Sequence, residues 1–170
     1  MRFVLLLLAL FLASNSMAAG INVTVDIPRI DASEYHRPYV AVWIENPDNS
    51  VAANLVVWYA QKETSEGAGT KWLADLRQWW RRSGRDQSMP IDGVSGATRP
   101  VGQHQLRFDA GEPPLSQLKP GKYGLVVEAA REVGGRELLR IPFQWPITET
   151  LHLDARGEHE LGLIKLDLNP

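Results

Sequence analysis

Seven residues, Asp92-Gly93-Val94-Ser95-Gly96-Ala97-Thr98, set one carboxylate, two hydroxyls and two glycines between Pro90 and Pro100. A stretch so rich in turn formers is expected to be an exposed loop rather than regular structure. Gly93 and Gly96 supply the bends. The small side chains of Ser95, Gly96 and Ala97 let the backbone approach a phosphate closely and turn its N–H groups toward the oxygens. Other familiar chemistry is missing. There is no cysteine, which excludes disulfides, thiolate metal sites, iron–sulfur clusters and cysteine-linked haem. The histidines His36, His104, His152 and His159 form no metal-ligand motif; His152-x-Asp154 with His159 reads as a solvated loop. No nucleophile elbow, P-loop or dinucleotide fingerprint occurs, so no independent enzyme and no catalytic residue is proposed.

The elements that must position the seven residues can be read from periodicity. Val23 to Ile27, Tyr39 to Glu45, Leu55 to Tyr59, Gln105 to Phe108, Tyr123 to Ala130, Leu138 to Phe143 and Leu161 to Leu168 read as strands. About seven short strands separated by turns predict a mainly β fold, an antiparallel Ig-like β-sandwich. One segment departs from this. After Glu66-Gly67-Ala68-Gly69, with Thr70 as cap, the residues Trp72, Leu73, Leu76, Trp79 and Trp80 recur at helical spacing, predicting an α-helix over about 71–82 that Gly84 ends. Asp75, Gln78 and Arg82 are expected on its other side. The helix and the loop after it form an insertion over about 66–104, where a sandwich would carry its binding or chemistry. Trp72 and one of Trp79 and Trp80 are expected to anchor the helix, leaving the other indole as a candidate wall for a ring ligand. Arg77, Arg81, Arg82, Arg85 and Arg99 give the insertion a positive bias.

The chain's 170 residues are 44% hydrophobic and 22% charged, the composition of an ordinary globular protein. With 18 basic against 20 acidic side chains, nothing points to nucleic acid. Phe3 to Ala13 is an unbroken apolar run after Met1-Arg2, closed by Ser16-Met17-Ala18. It reads as a secretory signal peptide over residues 1–18, too short to span a bilayer, leaving one exported, periplasmic domain over 19–170 with no transmembrane segment.

The seven residues are similar to the Asp-x-x-Ser/Thr-Gly-Ala-Thr pattern at which a periplasmic FAD:protein FMN transferase attaches FMN to the final threonine through a phosphoester. At average residue usage such a pattern arises by chance in roughly one chain of this length in a few thousand. The resemblance implies FMN on Thr98, with Ser95, Gly96, Ala97, Asp92 and Arg99 around it, Arg99 within reach of the esterified phosphate. Asp92 keeps two open roles: orienting the loop through its own backbone, or helping to place the transferase's metal or the attacking hydroxyl. The sequence departs from flavin-carrying subunits of ion-pumping reductases, where another hydroxyl residue commonly comes next; here Arg99-Pro100 does.

A wider resemblance joins Tyr39-Val40-Ala41-Val42-Trp43-Ile44-Glu45, Lys71 to Arg81, the motif with Arg99-Pro100, and Glu128-Ala129-Ala130-Arg131-Glu132. This succession resembles a bacterial periplasmic domain-of-unknown-function family associated with FAD:protein FMN transferase and PepSY-type membrane proteins. Val101 to Phe108 and Leu118 to Glu128 also resemble the Ig-like module of flagellar hook-capping proteins. Together these imply a flavinylated periplasmic electron carrier partnered by a membrane reductase. The alternative is a flavin-free module that binds a ligand or protein through the Trp-rich insertion.

Overall fold

The computed structural model describes residues 19–62 and 67–170. The signal segment at 1–18 and Glu66 of the expected loop lie outside the described residues. Nine strands form among them: β1 (Gly20–Ile27), β2 (Tyr39–Glu45), β3 (Val51–Tyr59), β4 (Ser95–Ala97), β5 (Gly102–Asp109), β6 (Gly121–Ala130), β7 (Arg136–Trp145), β8 (Leu151–Arg156) and β9 (Leu163–Asn169). They build an open sandwich of one four-stranded sheet, β5-β1-β9-β8, and one five-stranded sheet, β4-β3-β2-β6-β7. All seven expected strands are present. The two additional ones are β8, whose outward positions are exposed, and β4, which lies inside the motif. Pairing is antiparallel throughout except that β4 runs parallel to β3, with Val57 opposite Ser95, Trp58 opposite Gly96 and Tyr59 opposite Ala97.

Burial along β2 explains the layering. Val40, Val42 and Ile44 enter the core between the sheets with Val23, Val25, Leu55, Leu125 and Ile164. Ala41 and Trp43, pointing the other way, join a second core with Val57, Val126, Leu73, Leu76 and Trp79. The central strands of the larger sheet are thus covered on both faces, by the smaller sheet and by the insertion, as their nearly unbroken apolar runs require.

The insertion is not one α-helix over 71–82. Gly69–Asp75 is a 3₁₀ helix, and only Arg77–Arg82, here α1, is α-helical. Thr70 does not cap it: Ala68 holds the N-cap position and gives no side-chain bond. The cap of α1 comes instead from the sheet. Glu128 on β6, 0% exposed, accepts the Gln78 N–H at 3.1 Å and the Trp79 N–H at 2.8 Å, and is paired with Arg136 at 2.7 Å. A carboxylate at a helix N-terminus satisfies orphan donors and meets the positive end of the helix dipole. At the other end, Arg82 pairs with Glu45 on β2, itself 3% exposed and shared with Arg140. Arg82 is therefore drawn toward the sheet rather than set on a solvated side with Asp75, whereas the Gln78 side chain stays on that side and accepts from Arg81 at 2.7 Å. Trp79 Nε1 donates to Asn54 Oδ1 at 2.9 Å, and Asn54 Nδ2 to Ser83 Oγ at 2.8 Å.

Elsewhere, Glu137 on β7 gathers the backbone N–H groups of Glu158, His159, Glu160 and Leu161 at 2.7 to 3.1 Å. Burial pushes its pKa up, but these four bonds outweigh it and hold the carboxyl below its ordinary value. The segment around His159 is thereby tied to β7, and His152 bonds Asp167 across β8 and β9 at 2.6 Å.

Replacing Glu128 by alanine leaves two helix N–H groups and Arg136 without their acceptor. The expected cost is about 3 kcal/mol in urea unfolding, with accelerated hydrogen exchange at the Gln78 and Trp79 amides. Unchanged exchange at those amides would show that the helix is held by packing alone.

Candidate functional site

The motif is ordered by its own turn and by the sheet edge. Ile91 N–H donates to Ser95 Oγ at 2.9 Å, while the N–H groups of Val94 and Ser95 both donate to the Ile91 carbonyl. Val57 N–H then bonds the Val94 carbonyl at 2.9 Å, which starts β4 on the edge of β3. The expectation of an irregular loop is corrected at this point, because the open edge of β3 offers unpaired N–H and C=O groups to which even a turn-forming sequence can bond. Ser95 is occupied as a turn fastener through both its hydroxyl and its N–H. Asp92 is exposed, and the bonds of the turn are carried by Ile91 and Ser95.

The two glycines have separate reasons. Gly93 adopts φ +68°, the left-handed conformation that glycine takes without cost. At Gly96, an added Cβ would stand 3.0 Å from Trp58 Cδ1, so a side chain here would press on that buried indole. Trp58 is 2% exposed and also anchors the residues just after the motif. The Arg99 guanidinium lies 5.4 Å from its ring centroid, and His104 meets it edge-on at 5.7 Å while its Nε2 bonds the Pro100 carbonyl at 2.7 Å. Arg99 is thus seated on Trp58.

Between these two fastenings, Thr98 is half-buried on the rim of a cleft of about 210 Å³. The cleft is bounded by the segment entering β2, by the 3₁₀ helix and by the end of β6; it is lined by His36, Arg37 and Tyr39, by Trp72 and Asp75, and by Glu132. Small residues Ala60, Gly67, Gly69 and Ala130 complete it. Trp72 is 39% exposed here, whereas Trp79 is fully buried and Trp80 packs partly against the second core. The expectation that Trp72 anchors the insertion is corrected: Leu73, Leu76 and Trp79 do so. Of the arginine cluster, Arg82 and Arg99 are engaged by Glu45 and Trp58, and the cation of the cleft is Arg37. His36, Arg37 and Glu132, from chain connections, and Tyr39, from the start of β2, carry no local signal of a shared site, since only the sheet brings them together.

The electrostatics are mixed. His36 Nε2 lies 3.2 Å from Glu34 and its Nδ1 3.6 Å from Glu132. Tyr39 Oη donates to the Gly69 carbonyl at 3.1 Å, fixing the start of the 3₁₀ helix to β2. Burial, assisted by the carboxylates of Glu132 and Asp75 and opposed by a backbone bond at Ala60, raises the Tyr39 pKa above its ordinary 10.0. The cleft therefore offers one aromatic face, a neutral phenol, a cation and two carboxylates around a threonine hydroxyl.

A mainly β two-sheet sandwich with a helical insert over one face, and a cleft beneath the insert's first turns, is the class of protein this fold and site define. The chain belongs to the DUF2271 family of predicted periplasmic proteins, whose family model matches residues 20–163. The family's description agrees with the periplasmic location expected from the N-terminal segment. Among the described residues no helix is long and apolar enough to cross a membrane. No curated protein and no solved structure matches the chain.

Tyr39→Phe should cost about 1 kcal/mol by loss of the bond to Gly69. The difference has a defined pH course. Below pH 10.0, the ordinary tyrosine value, the phenol is neutral in both states and the difference is constant. As pH rises above it the unfolded chain ionises first, so the parent loses this contribution through the higher folded pKa while Tyr39→Phe does not. Urea midpoints measured for both proteins from pH 8 upward should converge; parallel curves would refute the assignment.

Proposed function

We propose that the protein is a periplasmic flavoprotein that carries FMN on Thr98 as a phosphoester and relays electrons with a membrane reductase of PepSY type. The observation that carries this reading is the placement of Thr98 at the exit of a three-residue edge strand, on the rim of the cleft that Trp72, Tyr39 and Arg37 line. Among the described residues, no group hydrogen-bonds its hydroxyl within the core.

In the attachment step, Thr98 Oγ1 attacks the riboflavin-side phosphorus of the FAD pyrophosphate, held with magnesium in the transferase. The P–O bond to AMP breaks, AMP leaves, and the hydroxyl proton passes to solvent. The chain's part is to present the hydroxyl. A strand of three parallel pairs at a sheet edge is weakly held and peels without disturbing the core. Gly93, already left-handed, provides the pivot. Once bound, the flavin supplies reversible one- and two-electron transfer, which no side chain of this cysteine-free protein provides. The residues around Thr98 suit such a group. Trp72 and the small residues match the apolar edge of an isoalloxazine, and His36, Arg37, Asp75 and Glu132 its polar edge.

The test is incubation of residues 19–170 with FAD, magnesium and an FAD:protein FMN transferase, read by intact mass and visible absorbance. The parent should gain one FMN less water and turn yellow, and Thr98→Ala should gain nothing, while Ser95→Ala is still modified. No gain in the parent, with a control substrate modified in the same tube, would leave the Trp-rich insertion as the site of a flavin-free binding module.

A further inference from the structure

The insertion's change of helix type decides where Trp72 points. Were residues 71–82 one α-helix, successive side chains would turn by about 100° and Trp72 would fall between Leu76 and Trp79, in the middle of the buried stripe. In the 3₁₀ segment the turn is about 120° per residue, and Leu76, the cap that closes it, bonds its N–H back to the Leu73 carbonyl at 3.1 Å, so both leucines lie on the sheet side and Trp72 is rotated away from them. Both leucines are fully buried; Trp72 is 39% exposed on the cleft rim. The 3₁₀ geometry is held in place at one end by Tyr39 on the Gly69 carbonyl and at the other by Glu128 on the first N–H groups of α1. Lys71 Nζ, 4.7 Å from the Trp72 ring centroid, engages the same indole. The indole therefore stands on the cleft rim with part of its surface open to an aromatic ligand.

We infer that Trp72 is the stacking wall for the flavin ring, with the tricyclic system entering the cleft between Trp72 and the segment from His36 to Tyr39. This rests on the attachment of FMN to Thr98, which lines the same cleft. Trp72 is a positioning residue: it sets how much of the time the tethered ring is docked and shielded from water. An offset aromatic stack is worth about 1 kcal/mol, equivalent to a fivefold change in the docked-to-free ratio.

Parent, Trp72→Ala and Trp72→Phe, each modified by the transferase with FAD and magnesium, should be compared by intact mass, flavin emission and visible circular dichroism. All three should gain one FMN, and their unmodified forms should unfold at closely similar temperatures, since the Trp72 side chain is exposed. A stacked indole quenches flavin emission, so the Trp72→Ala protein should emit about fivefold more strongly than the parent and lose its visible dichroism. Trp72→Phe should keep the dichroism, because a phenyl ring still stacks, yet regain emission. Equal emission and dichroism in parent and Trp72→Ala at equal mass gain would overturn the stacking role and leave the attachment intact. Loss of mass gain in Trp72→Ala alone would assign Trp72 to transferase recognition and overturn it too. No mass gain in the parent beside a modified control defeats the attachment itself, and this inference with it.

Discussion

Glu128 is the point on which the upper layer of this protein depends. A carboxylate with no exposed surface on a central strand is tolerable only if its charge is met. It is met from above by the helix N–H groups of Gln78 and Trp79 and from the side by Arg136. Because the donors belong to the backbone of α1, satisfying Glu128 fixes the place, height and direction of the helix. Glu45 repeats the arrangement at the far end through Arg82. Two buried carboxylates on one sheet face therefore act as a pair of mounting points, and Leu73, Leu76 and Trp79 fill the space between them.

The cleft is a by-product of that mounting. The residues just before α1, Gly69–Asp75, take the 3₁₀ form. Its tighter winding puts two leucines in register against the sheet and leaves one tryptophan facing the opening. Tyr39 closes the arrangement from β2. A neutral phenol suits this role better than a charged group would, because burial first, and then the negative charge of Glu132 and Asp75, hold its proton on.

Legibility in the sequence divides along physical lines. Strands such as Tyr39–Glu45 were legible because alternation and turn residues bracket them, and the sandwich comes from their number and spacing. Residues 151–156 alternate as well, but a half-exposed edge strand next to Pro146 and Gly157 resembles a solvated loop. The strand within the motif was not legible at all. Ser95-Gly96-Ala97 has no strand propensity and pairs only because β3 presents an open edge and Trp58 a flat surface. Helical spacing located the insertion correctly but not its winding, since the i, i+3 pair Leu73 and Leu76 satisfies either helix type. Glu128 looked like an ordinary polar position in a strand; its partners lie 50 and 49 residues earlier. Of the cleft, Thr98 was legible through its motif, whereas His36, Arg37, Tyr39 and Glu132 are joined to it only by tertiary structure.

The attachment proposed for Thr98 would place two demands on the motif that pull in opposite directions. A hydroxyl to be modified by another enzyme must leave its own surface, whereas a cofactor attached there must be held still to exchange electrons at a defined distance and potential. A long flexible loop would meet the first demand and fail the second; a central strand would do the reverse. A short parallel edge strand answers both. Its three pairings cost little to break, and Gly93 needs no new backbone conformation to swing it. Arg99 and His104 both rest on the same buried indole, and Gly96 lies against it with no side chain in between. Trp58 is thus the reference surface for Thr98, much as the sheet is for α1. Both devices place a functional segment against a rigid layer through one buried anchor, and together they bring the hydroxyl and the free indole to the same cleft.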